Sequence, residues 1–290
     1  MIDIPVLHVC GINLPDAWER AVLAVHDNGT ELRTEYDKPQ DPPSLDATVT
    51  VVVEQPLSEP RIHKNFPAGP TDLEVYRQEV IKGIHDHWID PKEGKWTYTY
   101  HQRLFAYRPV LDPEEPNEGP QFPEVNQIDY IVGKLSEVPH SRRAQAITWI
   151  PQCDPGTDDP PCLQRLWARL CPAEGDGYRL NMNTHWRSRD LYKAWFMNAF
   201  ALTDLQRILA ERLSGELGEP VEAGRYVDVS DSLHIYGSYR AEGLEREIEK
   251  MRSSPYTERA WDSSILEPMF EEVRQNLAED PDFYAHGDLR

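Results

Sequence analysis

The sequence predicts a mixed α/β (α+β) fold, with strands and helices interleaved along the chain, and three stretches carry that expectation. Residues 47–54 hold a Val-Thr-Val-Val-Val core, and β-branched residues fit a pleated, half-buried surface. Residues 162–170 alternate like a strand, and residues 178–186 and 226–236 read as two more. Residues 196–213 put Phe196, Phe200, Leu205, Leu209 and Leu213 on one helical stripe. The chain has 290 residues, enough for one large domain or two small ones and for a core that needs neither disulfide nor metal.

The remaining elements follow in order. Residues 2–10 alternate as a short strand. Asn13-Leu14-Pro15 then opens a helix: Asn caps, Pro suits the first turn, and Asn28-Gly29 ends the run behind Trp18, Val22 and Val25. Residues 39–43 form a turn-rich loop. Thr71-Asp72 caps a second helix with Leu73, Tyr76, Val80, Ile84 and Trp88 on one face, and Glu79 at its edge. Residues 95–107 carry aromatics at every second position and read as extended. Residues 111–123 are a proline-rich, acidic loop, and 124–138 are helical with Ile128, Ile131, Val132 and Leu135 inward. Residues 144–151 read as an apolar strand, and 242–251 and 265–278 as amphipathic helices. Residues 280–290 form a polar, loosely held tail.

A net charge of −20, from 30 basic and 50 acidic residues, argues against nonspecific nucleic-acid binding, which rests on neutralising phosphates. No window approaches the ~20 apolar residues of a membrane helix, and the first residues lack a signal-peptide pattern. Four cysteines, none in a CxxC pair, match no usual zinc spacing. His85-Asp86-His87 has ligand-type residues, but neighbours two apart on a helix point in different directions. A reduced, cytoplasmic protein without a metal is expected.

The chemistry concentrates in two stretches. Pro160-Pro161 fixes two φ angles and delivers Cys162 on a stiff segment. A cysteine is nucleophilic as thiolate, and arginine nearby lowers its pKa. Arg187 and Ser188, near the start of the long helix, suggest an anion site. Arg142 and Arg143 offer planar forks suited to phosphate. Asn198 is mediocre for helix formation, which leaves room for a side-chain task. His234 and Tyr236 share one strand face. Each piece alone also fits a bland reading: a buried structural thiol, solvated arginines, a core aromatic run.

Taken in order, Arg33-Thr34, Glu79, Tyr100-His101-Gln102-Arg103, Ser141-Arg142-Arg143, Pro161-Cys162, Arg187-Ser188-x-Asp190, Asn198 and His234-x-Tyr236 resemble the motif series of thymidylate synthase and its relatives, the pyrimidine-nucleotide hydroxymethylases. The resemblance spans residues 15–240. It implies that family's fold: a single domain over 1–290 with a large mixed sheet packed against helices, a sheet-mediated homodimer, and a divergent helical segment over 240–290. It further implies Cys162 as the nucleophile toward C6 of a pyrimidine. Arg187, Ser188 and Arg33 would hold the 5′-phosphate, and Arg142 and Arg143 would reach the other subunit's phosphate. Asp190 would lie near the ring and cofactor, Asn198 at the base edge, and His234 and Tyr236 on the sugar. Glu79 would organise water and protons, and Tyr100 would line the site. The implied cofactor is 5,10-methylenetetrahydrofolate and the implied substrate a pyrimidine nucleotide.

The chain departs from ordinary thymidylate synthases in ways that bear on the product. It lacks their Tyr-x-Pro-His-Pro segment and short apolar C-terminal end, and residues 284–290 are polar and charged. Leu163, not histidine, follows the cysteine. His101 and Gln102 stand where a glycine pattern is usual, and Arg189 to Lys193 replace small and apolar residues. A wetter site favours water over hydride at the exocyclic methylene, so hydroxymethylation is expected. Asn198 permits uracil or cytosine according to its flip. A cytidylate, CMP or dCMP, is the expected substrate, since a strongly diverged copy suits modified-nucleotide production. The alternatives are conversion of dUMP to dTMP, hydroxymethylation of dUMP, and a non-catalytic nucleotide-binding relative.

Overall fold

A computed structural model describes residues 3–285. The chain begins with β1 (Val6–Gly11), α1 (Leu14–Asn28), β2 (Thr30–Leu32), β3 (Ser44–Val53) and β4 (Ile62–His63). Then come α2 (Pro70–Lys82), α3 (Tyr100–Phe105), α4 (Gln127–Glu137), β5 (Gln145–Ile147), β6 (Leu163–Pro172), β7 (Tyr178–Trp186) and β8 (Arg189–Asp190). The long α5 (Ala194–Leu217) precedes β9 (Val221–Ile235). After it lie α6 (Gly237–Glu242), α7 (Leu244–Ser253), α8 (Tyr256–Arg259), β10 (Ala260–Trp261) and α9 (Glu267–Glu279).

Eight strands form one mixed sheet in the order β1-β3-β9-β7-β6-β5, with β2 paired to β3 and β8 to β9. The β1–β3, β9–β7 and β8–β9 pairs are parallel and the others antiparallel. Buried residues of β3 (Val49, Val51, Val53), β6 (Leu166, Ala168) and β7 (Leu180, Met182) alternate with more exposed ones, so one sheet face is dry. Against that face lie α1 and α5, the latter burying Trp195, Phe196, Phe200, Leu205, Leu209 and Leu213. Arg77 bridges Glu74 and Asp204, and Arg274 also reaches Glu74, which ties α2, α5 and α9 together by part-buried ion pairs.

Several boundaries differ from expectation. Helix α2 starts at Pro70 behind a Gly69 cap, not at Thr71-Asp72, and it stops at Lys82. Gly83 ends it in the left-handed region at φ 63°, so Ile84 and Trp88 lie beyond the helix. A Cβ on Gly83 would strike the His101 ring. Gly83→Ala should therefore destabilise the protein by about 1 kcal/mol or more, read as a lower urea midpoint at unchanged slope. The 95–107 stretch is not extended: Thr99 accepts from the Gln102 amide at 2.9 Å and caps α3, so its aromatics face different neighbours. The 144–151 strand shrinks to β5, and the 242–251 helix divides at Gly243 (φ 109°) into α6 and α7. The tail is held in part: Asp282 accepts from Trp88 Nε1 at 2.7 Å and pairs with His87 at 2.9 Å. The rest of the polar 284–290 stretch, from residue 286 on, lies outside the described residues.

Candidate active site

The strand ladder brings the two chemical stretches together. Alternation in β6 and β7 sets Leu163 opposite Trp186, so the next residues outward, Cys162 and Arg187, are neighbours. The Arg187 amide donates to the Cys162 carbonyl at 2.9 Å. Arg187's guanidinium donates to the carbonyls of Pro161 (3.1 Å) and Pro160 (2.5 Å), clamping the stiff segment that carries the thiol. Pairing of β8 with β9 then sets Asp190 opposite His234.

Two expectations about this corner change. Arg187 and Ser188 do not lie at a helix start, because β8 and a turn separate them from α5. The anion site they suggest rests on side chains and not on helix amides. The Cys162 thiol is also not depressed in the free protein: burial pushes it up and outweighs Arg187, while Asp159 raises it further.

Tyr100, first in α3, accepts from the Leu163 amide at 3.2 Å and packs edge-on against Trp186 at 5.8 Å. Glu79 pairs with His85 Nδ1 at 3.1 Å, and His85 stacks on Trp88 at 3.7 Å with its Nε2 buried and unpartnered. His85, Asp86 and His87 turn to three separate partners, Glu79, His101 and Asp282. Among the described residues no group of three or more His, Cys, Asp or Glu could hold a metal ion.

Asp190 accepts from the Tyr192 and Lys193 amides at 2.9 and 3.1 Å and from Tyr239 at 2.7 Å. His234 is buried, its Nε2 has no partner, and burial lowers its pKa. It therefore presents a neutral ring beside Tyr236, whose ring centre lies 4.6 Å away. Arg33 is exposed on the loop after β2 and donates to the Lys38 carbonyl at 3.3 Å. That loop carries Tyr36, which feels Arg187 and Asp159, so it folds back toward the Cys162 corner. Arg142 and Arg143 are exposed beside β5 and form no ion pair with any described residue. They stay outside the cluster.

Sequence reasoning missed Arg189, Tyr76, Asp228 and Tyr239. Arg189 lies 3.8 Å above the Trp186 ring and is ion-paired to Asp228. Its Nε donates to Asn198 Oδ1 at 3.3 Å, and Asn198 Nδ2 donates to the Tyr76 hydroxyl at 2.5 Å. Burial pushes Arg189 down to about 10, which leaves it charged at neutral pH. The available signal was a second arginine two residues after Arg187 in a run otherwise bound for the core.

A cavity of about 1120 Å³ opens beside these residues, with Tyr76, Glu79, Trp96, Tyr98, Tyr100 and Leu111 among its walls. Its aromatic walls suit a ligand with flat rings, and Tyr100 joins it to the Cys162 segment.

Comparison with known proteins points the same way. A family model described as thymidylate synthase matches residues 65–277. A Methanosarcina acetivorans protein with a provisional thymidylate synthase name is 31% identical over 224 residues, covering 77% of this chain and 87% of that one. A Methanocaldococcus jannaschii protein, named in the same way, is 27% identical over 229 residues, covering 77% and 88%. Thermostable thymidylate synthase A from Bacillus subtilis superposes with a TM-score of 0.55 at 19% identity, over 82% of this chain and 84% of that one. This last likeness speaks to the fold.

Proposed function

The chain belongs to the thymidylate synthase family, whose members use 5,10-methylenetetrahydrofolate, and from that premise we propose one-carbon transfer to C5 of a pyrimidine nucleoside 5′-monophosphate through a Cys162 adduct at C6. The supporting observation is the strand register that sets Cys162 beside Arg187, with the Tyr100 hydroxyl on the neighbouring Leu163 amide. C5 of a pyrimidine is a poor nucleophile. Thiolate addition at C6 moves an electron pair onto C5 and the C4 substituent, splitting one hard step into two. When bound, the folate supplies the one-carbon unit that C5 takes up.

The chain's own groups do the rest. Arg187, Ser188 and Arg33 hold the phosphate, joined in a homodimer by the partner subunit's Arg142 and Arg143. His234 offers its unpartnered Nε2 to the sugar, together with Tyr236. Asn198 reads the base, Tyr100 holds the Cys162 segment through the Leu163 amide, and Asp190 fixes the turn into α5. Glu79, braced by His85, moves protons and water at the C4–C5 side. The active unit is a single 1–290 domain in a cytoplasmic homodimer.

For the product, the cavity favours water. Glu79, Lys95, Asp112, Glu114, Asp158 and Asp159 all line it, and such walls admit solvent to the exocyclic methylene. A hydroxymethyl group is the proposed outcome, and a methyl group delivered by hydride is the second reading. For the base, the orientation of Asn198 favours a uridylate over the cytidylate expected from sequence. Incubation with the folate and each of CMP, dCMP, UMP and dUMP, followed by product mass spectrometry, tests all three points. A hydroxymethyl gain on one nucleotide is expected. A methyl gain selects the second reading, and no gain on any of the four overturns the transferase assignment.

A further inference from the structure

We propose that Arg189 is a positioning residue that fixes the flip of the Asn198 amide and thereby makes the site select a 4-oxo over a 4-amino pyrimidine. The inference rests on the nucleotide-site reading above. A guanidinium has donors only, so the Asn198 atom facing Arg189 Nε must be the oxygen, whichever way an amide is drawn. The amide nitrogen is then committed to the other side, where the Tyr76 hydroxyl accepts from it at 2.5 Å. Arg189 itself cannot swing away. It is buried, ion-paired to Asp228, donates to the Trp195 carbonyl at 3.2 Å and lies on Trp186. Asp228 in turn accepts from Tyr226 (3.1 Å), Thr184 (3.2 Å) and Ser230 (3.0 Å).

One N–H and one oxygen lone pair of Asn198 remain for a ligand, in a fixed order. The amide nitrogen lies on the Tyr76 side, and Glu79 is one turn along the helix that carries Tyr76. Addition of sulfur at C6 drives charge onto the C4 substituent, so that substituent belongs on the Glu79 side. A C4 oxygen there meets the amide N–H, and N3–H meets Oδ1. A cytosine in the same place sets its amino group against N–H and its N3 lone pair against Oδ1. Both contacts would be mismatched and buried, which is the costly case.

The test is calorimetric binding of UMP, CMP, dUMP, dCMP and ribose 5-phosphate to the full chain. Wild type is expected to bind UMP about 10-fold or more tighter than CMP. Arg189→Gln, which can donate or accept, is expected to pull that ratio toward one while ribose 5-phosphate affinity holds. Arg189→Gln with Asp228→Asn avoids stranding a buried carboxylate and serves if the single variant folds poorly. Equal UMP and CMP affinities in wild type overturn the assignment of Arg189 alone. So does a ratio unchanged in the variants, or a loss shared equally by UMP, CMP and ribose 5-phosphate. Failure of wild type to bind any of UMP, CMP, dUMP and dCMP overturns the functional reading and this inference with it.

Discussion

Cys162→Ala is expected to abolish tritium release from C5-labelled nucleotide, with kcat falling about 10³-fold or more. The size of the effect follows from the chemistry: without sulfur on C6, nothing turns C5 into a carbanion equivalent, and no neighbouring group replaces it. Cys153 is close in sequence, but burial and Asp154 push its thiol up to about 11. Cys10 lies exposed on the edge strand β1, on a different part of the sheet. The pH dependence has a definite sign. Burial raises the Cys162 thiol, so its thiolate fraction at neutral pH is smaller than that of an exposed cysteine. Alkylation at Cys162 in the nucleotide-free protein should rise with pH beyond the ordinary thiol range. Arg187→Ala should move that rise higher still, because Arg187 favours the thiolate. A Cys162→Ala protein that still releases tritium would overturn the nucleophile assignment.

Arg103→Met is expected to cost about 3–5 kcal/mol of stability, read from the urea midpoint. Arg103 is buried in α3 and pairs with Asp154 through both terminal nitrogens, at 2.7 and 3.2 Å. It also donates to the Thr148 carbonyl at 2.9 Å. Asp154 accepts from the Ile150 amide at 2.6 Å and so pins the turn that leads to Pro160 and Cys162. Removing the cation strands a carboxylate in the interior, and that penalty dominates the loss of the pair itself. Arg103→Met with Asp154→Leu should therefore be more stable than Arg103→Met alone. A single variant within about 0.5 kcal/mol of wild type would show that the pair holds nothing in place.

The central sheet and α5 were legible because their signals are periodic and buried. The β-branched run in β3 and the heavy apolar stripe of α5 leave no competing pattern. The 95–107 stretch misled because aromatics at every second position mimic a strand. Thr99, a local cap, decides the matter through one hydrogen bond that periodicity does not register. Gly83 is the same lesson for α2: the stop signal was present at Lys82-Gly83, but Ile84 and Trp88 continued the spacing. In the site, Cys162 and Arg187 could be named separately, while their adjacency is a property of strand register. Arg189 was visible only as a departure from the family's pattern. Its partners Asn198 and Asp228, and Tyr76 beyond Asn198, come from three other elements, α5, β9 and α2, and no local signal joins them.

The account stands on a bond between the Cys162 sulfur and C6 of the base, and trapping that bond tests it most directly. Fluorine at C5 cannot leave as a cation, so a 5-fluoropyrimidine nucleotide should hold the adduct in place once the folate has reacted. Peptide mapping of the denatured complex is predicted to find the added mass on the peptide carrying Cys162. Added mass on Cys10, Cys153 or Cys171, or unmodified protein from an active preparation, would contradict it.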